Sequence, residues 1–344
     1  MRRSPKVLFI LKKRMTSHHG IYTISSGLLN SANFVHEMLC KEGYESNLVE
    51  VKDNNDIDRE VTKYKPDIVI IEALWVVPSK FEILQKLHPK VKWIIRLHSE
   101  IPFIANEGIA MEWIYEYQKY NNVFISINSK TTLNDLTQLL TKPVIYLPNY
   151  YPVKLFKFHK RPKLNCTTID IGCFGAIRPL KNQLYQAVSA IQFANEINKT
   201  LNFHINTARV ENNGDPVYKN IKKLFENNPK HKLIEHGWLK HNDFLNLVQK
   251  MDLGLQVSFS ETFNIVAADF VNCDVPIVVS DEIKWASDYS KAIPTSSDSI
   301  KDKMYLALKA SKLNLQFINK IKLKLYSQES KKEWISYLKT FKKG

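Results

Sequence analysis

Two acidic residues, Glu261 and Asp269, mark the stretch of the chain with the clearest chemical potential. Glu261 opens a loop directly after an apolar strand, and Asp269 follows eight positions later on a segment apolar enough to be a buried helix, Phe263 to Asn272. Backbone N–H groups at such a helix start can hold an anion. A carboxylate about two turns in can accept hydrogen bonds from vicinal hydroxyls of a ribose or hexose. The structural alternative places Glu261 at the helix dipole and Asp269 on a solvated face.

Two cations precede this stretch in the loop GCFGAIRPLKNQ, residues 172–183. Arg178 and Lys181 are three positions apart, Gly175 ends a predicted strand, and a helix is predicted to begin near Asn182. A guanidinium that forks onto phosphate oxygens, an ammonium and a helix N-terminus together suit a diphosphate. The alternative is a pair of solvated loop residues, which is the usual state of Arg and Lys.

The elements that position these residues alternate along the chain. In the first half, apolar runs predict strands at 6–11, 46–51, 66–74, 91–97, 123–128 and 143–147, with helical spacing between most of them. The second half repeats this plan from IDIGCFGAI through LNFHIN, KLIEHG and DLGLQVS to PIVVS. Near-continuous apolar strands separated by helices indicate parallel sheets covered on both faces. The sequence therefore predicts an α/β fold of two doubly wound domains, with ligand-binding loops after the strands and a cleft between the domains.

These patterns divide the chain into four parts: a domain at 1–148, a linker at 149–165, a second domain at 166–300 and basic C-terminal helices at 301–344. Charge is uneven within the net +15, because residues 1–150 hold 19 Lys/Arg against 16 Asp/Glu, whereas residues 151–344 hold 30 against 18. A basic second half favours an acidic partner such as nucleic acid, an anionic membrane or a phosphorylated glycan. The alternative is a solvated, lysine-rich surface.

Composition and missing motifs exclude several classes of protein. Hydrophobic content of 44% and charged content of 24% are typical of a globular protein, and no run reaches the roughly 18 apolar residues of a membrane span. The basic and then apolar start is too short for a signal peptide. Four scattered cysteines argue against zinc or disulfides and predict a cytoplasmic location. The GxSxG, Walker, GxGxxG and HExxH motifs are absent. The DID segment at 56–58 is predicted to be a loop or cap and not a metal-binding motif. His18 and His19 lack a third ligand nearby in sequence, so a metal site there is not expected.

The combined motifs resemble those of the retaining GT-B glycosyltransferases. The family's acid loop, Glu-Gly-Phe-Gly with a second Glu eight residues after the first, corresponds here to residues 261–264 and Asp269. GAIRPLKN resembles the family's phosphate-binding loop, and YLPNYYP resembles its Pro-Asn hinge, at Pro148 and Asn149. WIIRLHSE resembles the first-domain strand that ends in a histidine, here His98. The resemblance covers most of the chain and implies two Rossmann-like domains that face each other across a cleft.

By this resemblance the second domain binds a nucleotide-sugar donor. The implied donor contacts are Arg178 and Lys181 on the diphosphate, Asp269 on the ribose, and Glu261 with the Phe263 and Asn264 backbone near the transferred sugar. No metal or other cofactor is expected, because two cations and a helix terminus can stabilise the leaving diphosphate.

The chain departs from the family pattern in two loops. Thr262 and Asn264 stand where the family has glycines, which is expected to remove the backbone freedom of glycine, and Asp269 is one methylene shorter than Glu. In the first loop, RMTSHHGIYTISSG, Gly20 stands where the family often has a glycine pair. Gly20 is therefore the candidate for acceptor-side or phosphate contacts.

The acceptor side also contains His98 and Glu100. The resemblance implies that the first domain holds the acceptor and that His98 faces the reacting carbon, while the alternative is an ordinary histidine at a strand end. In retaining members the departing phosphate takes the acceptor proton, so no enzymic base is required. An inverting enzyme would need one, and Glu100 is the candidate.

Two acceptors stay open, a glycan and a hydroxylated base in DNA. Lysines can hold a duplex by its phosphates while the base is flipped out, and LHSEIPFIANEG is similar to a phage-encoded branch of the fold, which would act in a host cytoplasm. The same C-terminal lysines and apolar residues would otherwise contact an anionic membrane peripherally. The alternative function is a non-catalytic module that binds a nucleotide or polyanion. No obligate protein partner is predicted.

Overall fold

The computed structural model describes residues 4–15, 22–23, 26–155, 167–211 and 213–341. By their contacts these residues group into two compact units. The first unit contains residues up to Pro152 together with residues from Ser327 onward, and the second contains Val153 to Tyr326. The four-part division made from the sequence stays a prediction.

The first unit is an α/β sheet protein. In chain order its described elements are β1 (Val7–Lys12), β2 (Arg14–Met15), β3 (Tyr22–Thr23), α1 (Ser26–Lys41), β4 (Ser46–Val51), α2 (Asp56–Tyr64), β5 (Ile68–Glu72), α3 (Lys80–Leu87), β6 (Lys92–Leu97), α4 (Ile101–Ile104), α5 (Ala110–Tyr117), β7 (Val123–Ile127), α6 (Lys130–Leu139) and β8 (Ile145–Tyr146). Within the described chain its main sheet has the order β4-β1-β5-β6-β7-β8, and all of these pairings are parallel. All six strands predicted for this half are confirmed. The DID segment lies in the first turn of α2 rather than in a loop before it.

Alternation along the strands explains how this sheet buries both faces. Leu8 and Ile10 of β1 lie in one apolar core, while Val7 and Phe9 lie in another. Neighbouring strands alternate in the same way because successive side chains point to opposite faces. A parallel sheet covered on both faces therefore needs the near-continuous apolar runs that the sequence contains.

The second unit has the same plan. In chain order it contains β9 (Thr168–Gly172), α7 (Gln183–Glu196), β10 (Thr200–Asn206), α8 (Gly214–Glu226), β11 (Lys232–His236), α9 (His241–Val248), β12 (Leu253–Gln256), α10 (Ile265–Asn272), β13 (Ile277–Ser280), β14 (Lys291–Ala292), α11 (Ser297–Lys312) and the first part of α12 (Phe317–Thr340), with short 3₁₀ turns at Pro179–Lys181 and Asp288–Ser290. Its strands, counted over the described residues, are parallel in the order β11-β10-β9-β12-β13-β14. β9 ends at Gly172, so Gly175 lies in the following loop and does not end the strand as predicted.

This strand order has a switch point between β9 and β12, where the chain changes the side on which it adds strands. Ligands of open α/β sheets bind outside the carboxyl ends of the strands at such a point. The loop after β9 carries Arg178 and Lys181, and the loop after β12 carries Glu261. The topology therefore brings the predicted donor residues to one edge of one sheet.

Two glycines let α10 approach this edge closely. Gly172 and Gly254 are register partners on β9 and β12. A Cβ on either residue would come within 2.8 Å of the Phe270 ring on α10. Because the Phe270 ring packs directly on the backbone of these two glycines, the distance of α10 and its preceding loop from the sheet is fixed.

Candidate active site

Asn182 and Gln186 lock the two site loops of the second unit together. Asn182 adopts a left-handed conformation (φ 57°), and its side-chain amide donates to the carbonyl of Val257 at 3.0 Å. Gln186, one turn into α7, accepts from Val257 N at 2.8 Å and donates to the carbonyl of Lys181 at 2.8 Å. The loop after β9 is thereby hydrogen-bonded to the loop after β12, which sets Lys181 beside Glu261.

Lys181 and Glu261 form a largely buried ion pair, with side chains 14% and 8% exposed and the ammonium donating to Glu261 Oε1. The same oxygen accepts from Ser258 Oγ at 2.9 Å and from Asn264 Nδ2 at 3.0 Å. Burial lowers the pKa of Lys181 and the charge of Arg178 lowers it further, while Glu261 acts in the opposite direction. An anion that enters this site would meet an ammonium that is already desolvated, so little reorganisation is required of it.

Arg178 lies on the other side of Lys181 and pairs with Glu211. One guanidinium nitrogen is 3.9 Å from Glu211 Oε2, and Glu211 also accepts from Arg209 Nε. The Arg178 side chain is about a fifth exposed, so part of it is open to solvent. Arg178 and Lys181, the two cations predicted from the sequence, therefore lie close together, and the carboxylates of Glu211 and Glu261 balance their charge.

Asn264 preserves the backbone shape that glycine would give. Its φ is 59°, in the left-handed region, so this backbone adopts a conformation typical of glycine although the residue is asparagine. Asparagine tolerates this region better than other non-glycine residues do. Its side chain also accepts from Ala267 N at 2.9 Å, which caps α10, and donates to Gln256 Oε1 at 3.0 Å.

We expect Asn264→Ala to destabilise the protein by about 2–3 kcal/mol, because alanine is strained by about 1–2 kcal/mol in the left-handed region and the loss of a helix cap costs about 1 kcal/mol. Asn264→Gly keeps the backbone conformation and should cost less than half as much. Urea unfolding of both variants measures the difference. Equal losses for alanine and glycine would contradict the backbone argument.

Phe263 serves mainly as an anchor for the loop. Its ring is buried and stacks on Tyr326 with centroids 5.3 Å apart, and its carbonyl accepts from Trp285 Nε1 at 2.8 Å. The backbone at 263 and 264 is thus fixed from both sides. Its contact with a donor sugar stays a prediction.

Asp269 is buried on α10 and paired with His241, a residue that the sequence analysis did not single out. The distance between His241 Nε2 and Asp269 Oδ1 is 2.9 Å. Burial alone lowers the pKa of His241, but the hydrogen bond and the charge of Asp269 outweigh burial and raise it above its ordinary value. The solvated position on the helix, the alternative considered for Asp269, is therefore wrong, because its side chain is 3% exposed.

The raised pKa of His241 predicts a pH-dependent contribution to stability. Folding favours the protonated ring, so the contribution is complete below the unfolded value of about 6.5 and is lost as the pH rises through the folded pKa. We expect the stability gap between the parent and His241→Gln to be wider at pH 6 than at pH 9. Chemical denaturation of both proteins at the two pH values tests this, and a gap independent of pH would contradict it.

In the first unit, His98 lies against a buried charged cluster. Its Nε2 donates to Glu72 Oε2, since a carboxylate only accepts, and its Nδ1 faces Asn128 Nδ2 at 3.4 Å. Burial and the charge of Arg96 lower the pKa of His98, while Glu72 opposes them. The imidazole is therefore neutral at physiological pH and held in one tautomer.

Arg96 holds this cluster to the segment that the sequence analysis identified as a hinge. Its guanidinium donates to both oxygens of Glu72 at 3.1 and 3.2 Å, to Asn149 Oδ1 at 2.6 Å and to the carbonyl of Leu147 at 3.0 Å. Burial acts to raise the pKa of Glu72, but the charge of Arg96 and the hydrogen bond from His98 outweigh it and lower the pKa. Asn149 thus fixes Arg96, which in turn fixes the carboxylate that orients His98.

The remaining predicted acceptor-side residues are Glu100 and Gly20. The Glu100 carboxylate is buried and accepts from the hydroxyls of Ser129 and Thr132 at the start of α6. Those two hydrogen bonds give Glu100 a structural role at the start of α6. Its role as a catalytic base stays a prediction. Gly20 lies outside the described residues.

Metal clusters and membrane-spanning helices are both absent from the described part of the chain. Over that part, no group of three or more His, Cys, Asp or Glu side chains could hold a metal ion. Among the described helices, none combines the length and apolar character needed to cross a membrane. Independence from metal and a cytoplasmic location stay predictions.

A pocket of about 620 Å³ lies away from this site. Its apolar lining includes Ile169, Phe193 and Leu306, with Lys309 and Lys312 among the charged residues. Ile169 is at the start of β9, so the pocket lies towards the amino end of that strand, whereas the site residues follow its carboxyl end. The pocket is therefore not part of the candidate active site.

Comparison with known proteins bears on the fold. No family model and no curated protein sequence matches the chain. Among solved structures, Anabaena HepE in complex with UDP and glucose has a TM-score of 0.67 at 13% identity, covering 98% of this chain and 100% of that one. Sucrose-phosphate synthase from Thermosynechococcus elongatus has a TM-score of 0.69 at 11% identity, covering 97% and 98%.

A third neighbour is an S. aureus TarM mutant, solved with Fondaparinux, alpha-GlcNAc-glycerol and UDP. It has a TM-score of 0.61 at 15% identity; the match covers 82% of this chain but only 58% of the length of TarM. All three neighbours are GT-B glycosyltransferases. The likeness shows that this chain, with its two parallel α/β sheets, has the GT-B fold.

Proposed function

We propose that this protein is a glycosyltransferase that moves a sugar from a nucleotide-sugar donor to an acceptor hydroxyl. The observation that carries the proposal is the largely buried Lys181–Glu261 pair, with Arg178 beside it, at the switch point between β9 and β12. A desolvated lysine beside an arginine at that edge suits a diphosphate. Solved neighbours with UDP bound support the same class of donor.

Each donor-side residue has a proposed task. Arg178 and Lys181 bind the diphosphate, and Asp269, held by His241, accepts hydrogen bonds from the ribose. Glu261 and the fixed backbone at Asn264 contact the sugar. Because the Lys181 ammonium is already paired with Glu261, donor binding exchanges one anionic partner for another and frees the Glu261 carboxylate for sugar hydroxyls.

The chemical step depends on stabilising the leaving group. Cleavage of the bond between the anomeric carbon and the phosphate oxygen leaves negative charge on the diphosphate and positive charge on the sugar. Arg178 and Lys181 stabilise the diphosphate without a metal. We propose that the reaction retains configuration, with the leaving phosphate oxygen taking the acceptor proton. His98, neutral and fixed by Glu72, serves the acceptor side as a hydrogen-bonding group.

We propose a glycan as the acceptor. The support is that sugars and glycans accompany UDP in the neighbouring complexes, including glucose with HepE and Fondaparinux with TarM. A hydroxylated base in DNA is the competing acceptor, and the experiment below separates the two.

The test is to incubate the purified protein with UDP-sugars and other nucleotide sugars and to measure release of the nucleoside diphosphate. Parallel reactions contain oligosaccharides, hydroxymethylated duplex DNA or no acceptor. Release stimulated by an oligosaccharide, with an α-linked product from an α-linked donor by NMR, is the expected result. Stimulation by DNA alone would overturn the glycan assignment. UDP binding by calorimetry without turnover of any donor would leave the non-catalytic binding module as the answer.

A further inference from the structure

The start of α12 has an inverted pattern of burial. Asn319 and Lys320 are 1% and 0% exposed, whereas Ile318 and Ile321 are 38% and 41% exposed. An ordinary surface helix buries its apolar residues and exposes its polar ones. This segment therefore presents to its surroundings the kind of side chain that a helix usually hides.

Polar contacts fix the helix in this rotation. The Lys320 ammonium donates to Asp274 Oδ1 at 2.8 Å, and both side chains are buried. Asn319 accepts from Ser287 N at 2.8 Å and donates to Tyr289 Oη at 3.1 Å. Because removing any of these partners would leave a buried polar group unsatisfied, the helix cannot turn to bury its isoleucines without a large cost.

The exposed apolar side chains form what we call the outer stripe: Leu313, Leu315, Ile318, Ile321 and Leu325, which are 62%, 44%, 38%, 41% and 58% exposed. Ile318, Ile321 and Leu325 are spaced by three and four residues on α12, so they share one helical face, and Leu313 and Leu315 lie in the turn before this helix. Single exposed apolar residues need no explanation, but a contiguous set marks an interaction surface.

The charge around the outer stripe is positive. Residues 303–328 contain six lysines and no Asp or Glu. Lys312 and Lys322 are exposed beside the stripe, while Lys320 is buried with its carboxylate. Asp288 lies near Lys322 and offsets part of this charge. A lysine-flanked row of leucine and isoleucine matches the interface of a bilayer with anionic headgroups.

We propose that the outer stripe docks on the surface of an anionic lipid bilayer, with its apolar side chains at the acyl boundary and its lysines on the headgroups. A nucleic acid fits less well, because the stripe presents aliphatic side chains rather than aromatic rings on which bases stack. A second copy of the chain fits less well, since two faces that each carry an excess of lysine would repel each other. The proposal does not depend on the proposed function.

Sedimentation with lipid vesicles tests the proposal on the full chain. We expect the parent to bind vesicles of mixed phosphatidylglycerol and phosphatidylcholine at least about tenfold more tightly than pure phosphatidylcholine, and high salt to weaken this binding. Ile318→Glu combined with Leu325→Glu should weaken it by at least about tenfold. Both positions are exposed, so circular dichroism should match the parent. Leu139→Glu, at a leucine of similar exposure in the first unit, is the matched control and should bind like the parent.

Three outcomes would overturn the proposal. The first is equal binding of the parent to charged and neutral vesicles, or to neither. The second is unchanged vesicle binding by the double variant. The third is a double variant that loses binding to duplex DNA, or changes from dimer to monomer in light scattering, while its vesicle binding equals that of the parent.

Discussion

Lys181→Ala is expected to lower kcat/KM for sugar transfer by at least about 100-fold, the usual effect of removing one preorganised group that stabilises developing charge. Most of the loss should be in kcat, because the ammonium matters most when the leaving diphosphate gains charge. The prediction rests on the largely buried position of Lys181 and its pairing with Glu261. Steady-state kinetics with the donor identified by nucleotide release measures it.

Two further variants give this test its controls. Lys250→Ala removes an exposed lysine of the same unit and should leave kcat/KM unchanged. Glu261→Ala should also lower kcat/KM by at least about 100-fold, because it removes the proposed sugar contact and leaves Lys181 beside Arg178 with less opposing charge. Turnover of Lys181→Ala at the parent rate, with the fold intact by circular dichroism, would refute the site.

Glu72→Ala is expected to destabilise the first unit by about 3–5 kcal/mol, since it leaves the charge of buried Arg96 without its carboxylate. It also removes the hydrogen bond that orients His98. Urea unfolding followed by tryptophan fluorescence gives the total loss. Hydrogen exchange of peptides from residues 66–100 locates it in the first unit.

An exposed ion pair in the same unit gives the matched control. Glu42 pairs with Lys331, and both side chains are about a third exposed. Glu42→Ala should therefore cost less than about 1 kcal/mol. A similar loss for Glu42→Ala and Glu72→Ala would show that burial of the Arg96 charge does not determine the effect.

Strands such as β1, β5 and β13 could be predicted from the sequence because each is a mostly apolar run bounded by turns or helices. Phe9 and Leu8 illustrate the reason: both faces of the sheet are covered at β1, so its first five positions are all apolar. The end of β9 was harder to place. Apolar residues continue past Gly172 into the loop, where Phe174 packs under α10, so hydrophobicity alone extends the strand too far.

Some of the site residues could be predicted from the sequence, and others could not. Arg178, Lys181 and Glu261 could be found because they follow strands whose carboxyl ends share one edge. His241 could not, since its link to Asp269 joins two helices and no local pattern marks it. Glu72 and Arg96 carry a signal that was overlooked. Each is the charged residue near the end of an otherwise apolar strand, and the two are register partners on neighbouring strands.

The pairing of Trp334 with the first unit has a consequence for the order of events during synthesis. Trp334 is fully buried, packs on Phe9 with centroids 5.9 Å apart, and donates to the carbonyl of Pro148 at 2.8 Å. During synthesis, Phe9 and Pro148 are therefore translated long before Trp334, which completes the core around them. Until α12 emerges, the nascent first unit carries an open apolar face beside Arg96. During that interval, this exposed apolar face is a binding site for a chaperone.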